Sequence, residues 1–446
     1  MRKTLILCFT ALATLAATSV TAETRMLRYP DIHGDRVVFT YAGNLWTVSA
    51  DGGRARQLTS HPGLEIFAEF SPDGSEIAFT GQYDGAEQVY VIPAEGGEPR
   101  QLTWYPAQGP LPARWGYDHL VQGWTPDGQR VLFRSLRDAW GLGDGRLFTV
   151  SREGGLPEPL PLPRAGAATF AGSADRLFYS PLMRDFRTWK RYQGGWAQDL
   201  YLLDIAGREA TPVTTHERSD RDPMWIDGAA YFASDRDGRF NLYRHDPATG
   251  ETTQLTRYTD WDVRWPGTDG TGRIAYELNG AIHVYNTATG EDRRLTVTVP
   301  SDLLPARPRQ VNVAGQIESF ALSPQARRAL FVARGDLFSV PVEKGLAINL
   351  TGTSNAHERE IAWSPDGSHI AYVSDFTGEE EVYVEDSAGG DPVQLSEGYR
   401  TRYSAPAFSP DGERLAWHDA AGRIFVARAD GRGAPVIAAD EAQGDT

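Results

Sequence analysis

Apolar and polar residues alternate along this chain in short runs, with the period of two that points successive side chains to opposite faces of a strand. Arg36-Val37-Val38-Phe39-Thr40, Asn44-Leu45-Trp46-Thr47-Val48, Glu76-Ile77-Ala78-Phe79 and Gln88-Val89-Tyr90-Val91-Ile92 are examples. Helical periodicity is almost absent. The runs are punctuated by turn chemistry at Ser71-Pro72-Asp73-Gly74, Thr125-Pro126-Asp127-Gly128, Ser364-Pro365-Asp366-Gly367 and Ser409-Pro410-Asp411-Gly412. There Pro presets φ, Asp bonds its own backbone, and Gly accepts a conformation that other residues resist. A tripeptide closes many units: Gln57-Leu58-Thr59, Gln101-Leu102-Thr103, Gln254-Leu255-Thr256, Asn349-Leu350-Thr351 and Gln394-Leu395-Ser396. Its spacing lies near the roughly 40 to 45 residues of one propeller blade, so each unit is predicted to be a four-stranded antiparallel sheet.

Nine such units are expected. Six occupy 29–300: Tyr29 to His61, Phe67 to Tyr105, Val121 to Pro163, Ala167 to His216, Asp222 to Tyr258 and Val263 to Pro300. The fourth carries an insertion from Pro181 to Gly195, and the fifth and sixth share hairpin ends, Ala248-Thr249-Gly250 and Ala288-Thr289-Gly290. A proline-rich break then predicts a linker over 301–317. Three further units follow over 318–440, at Glu318 onward, Glu360 to Gly398 and Ala405 to Asp440, and 441–446 form a polar tail. Propellers have four to eight blades, so nine do not fit one ring. The expected fold is all-β: a six-bladed β-propeller followed by three blades of an incomplete second one, whose open edges need a cover.

Charge narrows the partners. The net charge of −15 gives no broad electrostatic reason to bind nucleic acid or an anionic membrane. The first residues read as a cleavable signal peptide, 1–22. Arg2 and Lys3 precede an apolar run from Leu5 to Ala17, and Val20-Thr21-Ala22 predicts a cut after Ala22. A periplasmic or secreted location follows, with no membrane span after cleavage. Cys8 is the single cysteine and lies in that leader, so the mature chain forms no internal disulfide.

Catalytic signatures are absent: there is no GxSxG elbow, no HExxH pair and no glycine-rich phosphate loop. No catalytic residue, metal ligand or cofactor is assigned. His33 reads as a hydrogen bond that fixes the opening turn, and Glu379-Glu380-Glu381 as a solvated hairpin tip. Asp235-Arg236-Asp237-Gly238 matches only a fragment of the DxDxDG pattern that a calcium loop needs and reads as a polar turn. Trp124, Trp225, Trp265, Trp363 and Trp417 recur within strands, where rings fill the wedge between blades. Trp104, Trp115, Trp140, Trp189, Trp196 and Trp261 fall in loops and are the candidates for ligand contact.

Two segments are more specific than the turns. Pro30-Asp31-Ile32-His33-Gly34-Asp35 with Asn44-Leu45-Trp46, and Trp189-Lys190-Arg191-Tyr192-Gln193-Gly194-Gly195 followed by Asp199-Leu200-Tyr201, resemble the tricorn protease family. Tyr231 to Gly238 adds a third match. The resemblance covers the mature chain in order. It implies a six-bladed then a seven-bladed propeller that channel peptides to and from a serine-peptidase core, whose catalytic residues lie in later domains without a counterpart here. Peptides, C-terminal peptidase domains or a partner protein completing the second propeller, and homo-oligomers are the implied partners. The family's adjacent arginine pair, proposed to hold a substrate's terminal carboxylate, corresponds to Ala113-Arg114-Trp115, which keeps one arginine. Arg114 is thus a candidate peptide-binding residue; a surface arginine in an interblade loop is the alternative. A freestanding TolB-like scaffold and the gating propeller of a prolyl-oligopeptidase or dipeptidyl-peptidase relative share the turn motifs and are the rival readings.

Overall fold

The structure, a computed structural model, describes residues 23–106, 116–138, 141, 144–186, 191–302, 309–353, 355–399 and 401–439. The leader with Cys8, Arg114, Trp115, Trp140, Trp189 and the tail lie outside the described residues. The alternating runs form strands where their period places them. Nine sheets result among the described residues, each with four antiparallel strands in chain order and the first with a fifth, parallel strand added, and the chain divides into two compact units, Met1–Arg307 and Pro308–Thr446.

In the first unit six sheets, here blades 1 to 6, turn their first strands inward. These inner strands are Arg28–His33, Glu65–Phe70, His119–Trp124, Ala168–Phe170, Asp220–Ile226 and Arg264–Thr268. Each packs on the next, and the sixth packs back on the first, so the array closes. A clasp secures the seam. Val297–Thr298 pairs in parallel with the outer strand of blade 1 at Gly53 and Arg54. The Thr24 amide donates to the Val297 carbonyl at 2.9 Å, and the Leu27 amide to Gly280 of blade 6 at 3.0 Å. Arg294 reaches Glu23 at 2.5 Å. Leu27, Trp46, Ile282 and Leu295 close the core beneath it.

The recurrent motifs earn their places through hydrogen bonds. In the Ser-Pro-Asp-Gly turn, Ser71 Oγ donates to Asp73 Oδ1 at 2.6 Å and accepts from the Glu76 amide at 3.0 Å, while the Gly74 amide closes on Ser71 O. The turns at Thr125, Ser364 and Ser409 repeat this pattern. Gly74 has φ +68°, and a Cβ there would meet the His33 ring at 2.3 Å. His33 therefore acts by packing over the turn of the next blade and against Phe70, with ring centroids 5.9 Å apart, rather than by a hydrogen bond within its own turn.

The closing Thr or Ser caps the third strand of its own sheet. Its hydroxyl accepts the amide of the residue 14 positions earlier: Leu45 to Thr59, Val89 to Thr103, Leu200 to Thr214, Leu242 to Thr256, Leu337 to Thr351 and Val382 to Ser396. A buried amide left without such a partner bears a desolvation penalty.

The second unit holds three sheets, blades 7 to 9, with inner strands Ile317–Leu322, Glu358–Trp363 and Tyr403–Phe408 packed in that order. Blade 7 leaves its inner strand uncovered, with Phe320 75% and Leu322 56% exposed. Glu379-Glu380-Glu381 departs from the solvated tip expected of it. Glu381 is buried and accepts the Ser396 hydroxyl, and Glu380 pairs with Arg359. Glu379 lies exposed in the turn, whereas Glu381 opens the strand Glu381–Asp386 and faces the closing serine.

Thr103→Val, which removes the acceptor of the Val89 amide at a fully buried position, should cost about 1–3 kcal/mol in denaturant unfolding. Thr103→Ser should retain most of that stability.

Candidate functional site on the propeller axis

Five of the six inner strands of the ring carry a register shift, the exception being Ala168–Phe170 of blade 4. In blades 1, 2, 5 and 6 it falls beside Tyr29, Phe67, Asp222 and Trp265, whose φ angles are +51°, +53°, +54° and +48°. A left-handed non-glycine residue costs on the order of 1–3 kcal/mol and persists only where its surroundings enforce it. A bulge bends the strand and re-aims a side chain. Blades 8 and 9 repeat the device at Glu360 and Ala405, so it belongs to the repeat, and the residue type at the bulge decides what the axis presents.

Around the axis all six blades line a cavity of about 100 Å³. An aromatic stopper gathers there. Tyr29 and Phe67 lie 4.4 Å apart between ring centroids, Tyr29 and Trp265 5.1 Å, Phe186 and Trp265 5.3 Å, and Tyr117 and Phe186 5.5 Å. Trp265 thus departs from the interblade wedge expected of it, because its bulge turns the ring toward the axis. Trp124 and Trp363 do fit the wedge, and each donates its indole N–H to the inner strand of the preceding blade, at Glu69 O and Ala321 O.

Phe186 comes from the blade 4 insertion. Asp185 anchors it through an ion pair with Arg134 at 2.6 Å, both side chains almost fully buried. Burial pushes the Asp185 carboxyl up, but Arg134 and Arg221 outweigh it and hold the group below the usual carboxylate range. Gly116, φ +74°, receives the Phe186 ring, and a Cβ there would lie 2.1 Å from Phe186 Cδ2.

Glu69 lines the cavity, and Asp31 on the inner strand of blade 1 is its acidic neighbour. Asp31 Oδ2 accepts the Phe70 amide at 2.8 Å, and Oδ1 is buried without a partner among the described residues. Burial pushes the Asp31 carboxyl up to about 7 against the pull of the Phe70 and Ile32 amides, and Asp269 adds to the rise. Burial and the nearby Asp31 also raise Glu69 well above its usual range. Both carboxyls are thus held toward their protonated forms by burial.

Asp185 also lines a second cavity of about 60 Å³, beneath the insertion, with Arg184, Arg191, Arg221, Arg264 and Trp196. The Arg184 guanidinium stacks 3.6 Å from the Trp196 ring centroid, and Arg221 pairs with Asp222 at 2.9 Å. Trp196, Trp261 and Trp104 are exposed as loop positions predict, and only Trp196 of these three lines either cavity. Arg191 and Tyr192 of the specific insertion motif join Trp196 there. Asp235 is a buried acceptor for the Ser219 amide, and no cluster suited to a metal ion occurs among the described residues. The stopper, the Asp31–Glu69 pair and the Arg134–Asp185 anchor escaped sequence reasoning. The one available signal was an X-Pro step at a common offset, at Tyr29-Pro30, Asp222-Pro223 and Trp265-Pro266.

Six four-stranded sheets closed about a narrow axis define a β-propeller with an aromatic-lined centre. The chain belongs to the tricorn protease family of such proteins: residues 24–291 match the tricorn protease N-terminal beta propeller domain. It is 29% identical to Tricorn protease homolog 1 of Streptomyces coelicolor, over 90% of this chain but 37% of that protein. It is 25% identical to the Tricorn-like protease N-terminal subunit of Sulfurisphaera tokodaii, over 37% of this chain and 80% of that subunit. The crystal structure of the tricorn protease shares the fold at TM-score 0.56 and 19% identity, covering 91% of this chain and 49% of that one. The chain spans well under half the length of the Streptomyces relative.

Raised above its unfolded value near 3.9, the Asp31 carboxyl binds its proton more tightly in the folded state. Its stabilising contribution is complete below about pH 4 and is lost as pH rises toward 7. In melting curves, Asp31→Asn should therefore gain stability relative to wild type between pH 5 and pH 8; a constant difference would place the proton elsewhere.

Proposed function

We propose that this chain is the propeller portion of an exported tricorn-like peptidase, and that its ring selects peptides for a hydrolytic core outside these residues. The observation that carries the reading is the axial site, where all six blades meet at an aromatic stopper. An extended peptide presents alternating side chains and a free carboxylate, and this site offers ring faces on the axis and guanidiniums beside it. A guanidinium fork is matched to a carboxylate. With Arg114 outside the described residues, Arg184, Arg191, Arg221 and Arg264 are the cations gathered near the axis. The open flank of blade 7, with Phe320 and Leu322 exposed, supports the further reading that additional blades or a partner subunit cover the second unit.

Export is part of the proposal. Glu23 and Thr24 hold the seam of the ring through Arg294 and Val297, so a chain cut after Ala22 keeps every clasp residue. No helix among the described residues is long and apolar enough to cross a membrane.

A short peptide with a free C-terminus and a photoreactive side chain should label the axial strands around Phe67 and Trp265, and its amidated form should label them less. Arg264→Ala, at an exposed position, should erase that difference. Labelling spread evenly over the surface would count against a peptide filter, and peptide hydrolysis by the homogeneous chain would count against a noncatalytic role. N-terminal sequencing of protein recovered from a bacterial periplasm should begin at Glu23; an intact Met1 would remove the export proposal.

A further inference from the structure

Blade 8 carries a site that blade 2 lacks, although their strands superimpose residue for residue in sequence register. In blade 2, Glu65 faces Gly81 across the first strand pair, and both its oxygens are satisfied, Oε2 by the Thr59 hydroxyl and Oε1 by Tyr83 OH at 2.6 Å. In blade 8 the corresponding acid is Glu358, opposite Ser374. Its Oε1 accepts Thr353 Oγ1 and Ser374 Oγ, both at 3.0 Å. The residue at the place of Tyr83 is Phe376, which has no hydroxyl and stands 53% exposed. Glu358 Oε2 is consequently left without a partner among the described residues, in a side chain only 1% exposed.

A second pair of differences deepens the contrast. Phe79 and Ile92, fully buried between blades 1 and 2, are replaced at the same offsets by Tyr372 and Glu385. Tyr372 OH donates to Glu385 Oε2 at 2.9 Å, and the Gly390 amide donates to Oε1 at 3.0 Å. Where blade 2 is dry and filled, blade 8 opens a groove of about 420 Å³ against the end of blade 7. Its floor holds Glu358 and Glu385, its walls are Tyr372 and Tyr383, and Leu350 and Phe376 form an apolar rim.

We propose that this groove binds an alkylammonium group, either a free aliphatic amine or a lysine side chain. The ammonium supplies the hydrogen-bond donor that Glu358 Oε2 lacks and offsets the charge of two neighbouring carboxyls. Tyrosine faces attract the same cation, and the methylene stem lies along Leu350 and Phe376. A neutral alcohol of equal length fills the groove without meeting its charge. A bare metal ion would find two carboxyls here, short of the cluster of three acidic, histidine or cysteine groups, and no such cluster occurs among the described residues.

Titration of the full chain with 1,5-diaminopentane, followed by calorimetry and melting temperature, should show saturable binding and stabilisation, with 1,5-pentanediol inert. Glu358→Gln should weaken the amine about tenfold or more, the scale of a hydrogen bond to a charged group. Phe376→Tyr should restore the partner that Tyr83 provides in blade 2, raising the melting temperature while weakening amine binding by a similar factor. A blocked peptide containing lysine, compared with its norleucine counterpart, distinguishes the sources: peptide binding assigns the groove to lysine side chains, and binding of the diamine alone assigns it to free amines. Equal binding of amine and diol, no binding of either amine form, or unchanged affinity in both variants would overturn the proposal.

Discussion

A row of wedge-shaped sheets has two raw ends, each an apolar face with no neighbour, unless the last sheet meets the first. In the first unit that meeting depends on a few backbone groups far apart in sequence: Val297 and Thr298 along Gly53 and Arg54, Thr24 on Val297, and Leu27 on Gly280. The clasp fixes the angular position of every blade between its ends. It thereby fixes the width of the axis, since the inner strands must converge until their bulged residues touch. The second unit shows the same sheets without closure, and the aliphatic and aromatic residues that the ring buries stand exposed on blade 7.

Closure also supports strain. Four non-glycine residues with positive φ sit around the axis, each unfavourable by itself, and the packed ring holds them there. The bulge recurs in blades 8 and 9 with glutamate and alanine, which separates the backbone device from its use. What distinguishes the first ring is the choice of Tyr, Phe, Asp and Trp at those places, backed by an insertion that Arg134 and Asp185 pin down. The same logic governs the buried acids. Burial raises Asp31 and Glu69 toward their neutral forms, and the Phe70 amide holds one Asp31 oxygen in place.

Repeats make such departures readable, since each blade is a control for the others. Glu65 and Glu358 occupy one position in two sheets, and a single missing phenolic oxygen changes a satisfied acid into an unsatisfied one. The hydroxyl caps at Thr59, Thr103, Thr214, Thr256, Thr351 and Ser396 vary so little because the outer hairpins of these six blades present the same backbone amide. Positions answering a backbone need stay constant, and those facing an axis or a groove diverge.

The strands, their turns and the all-β class were written in the sequence, because a period of two and a Ser-Pro-Asp-Gly turn act over a few residues. The family was legible in the opening hexapeptide and the insertion motif. The candidate site was not. Tyr29, Phe67, Tyr117, Phe186 and Trp265 are scattered along most of the first unit, and apart from the proline that follows Tyr29 and Trp265 nothing local marks them as neighbours. Trp265 and Trp124 look alike in an alternating strand, yet a backbone bulge sends one ring to the axis and leaves the other between blades. His33 and Glu381 likewise took their roles from the adjoining blade or the closing strand. Local sequence specifies each sheet because its hydrogen bonds lie within one repeat; the tertiary ring alone decides which side chains meet, because those contacts form between repeats and exist only once the circle is shut.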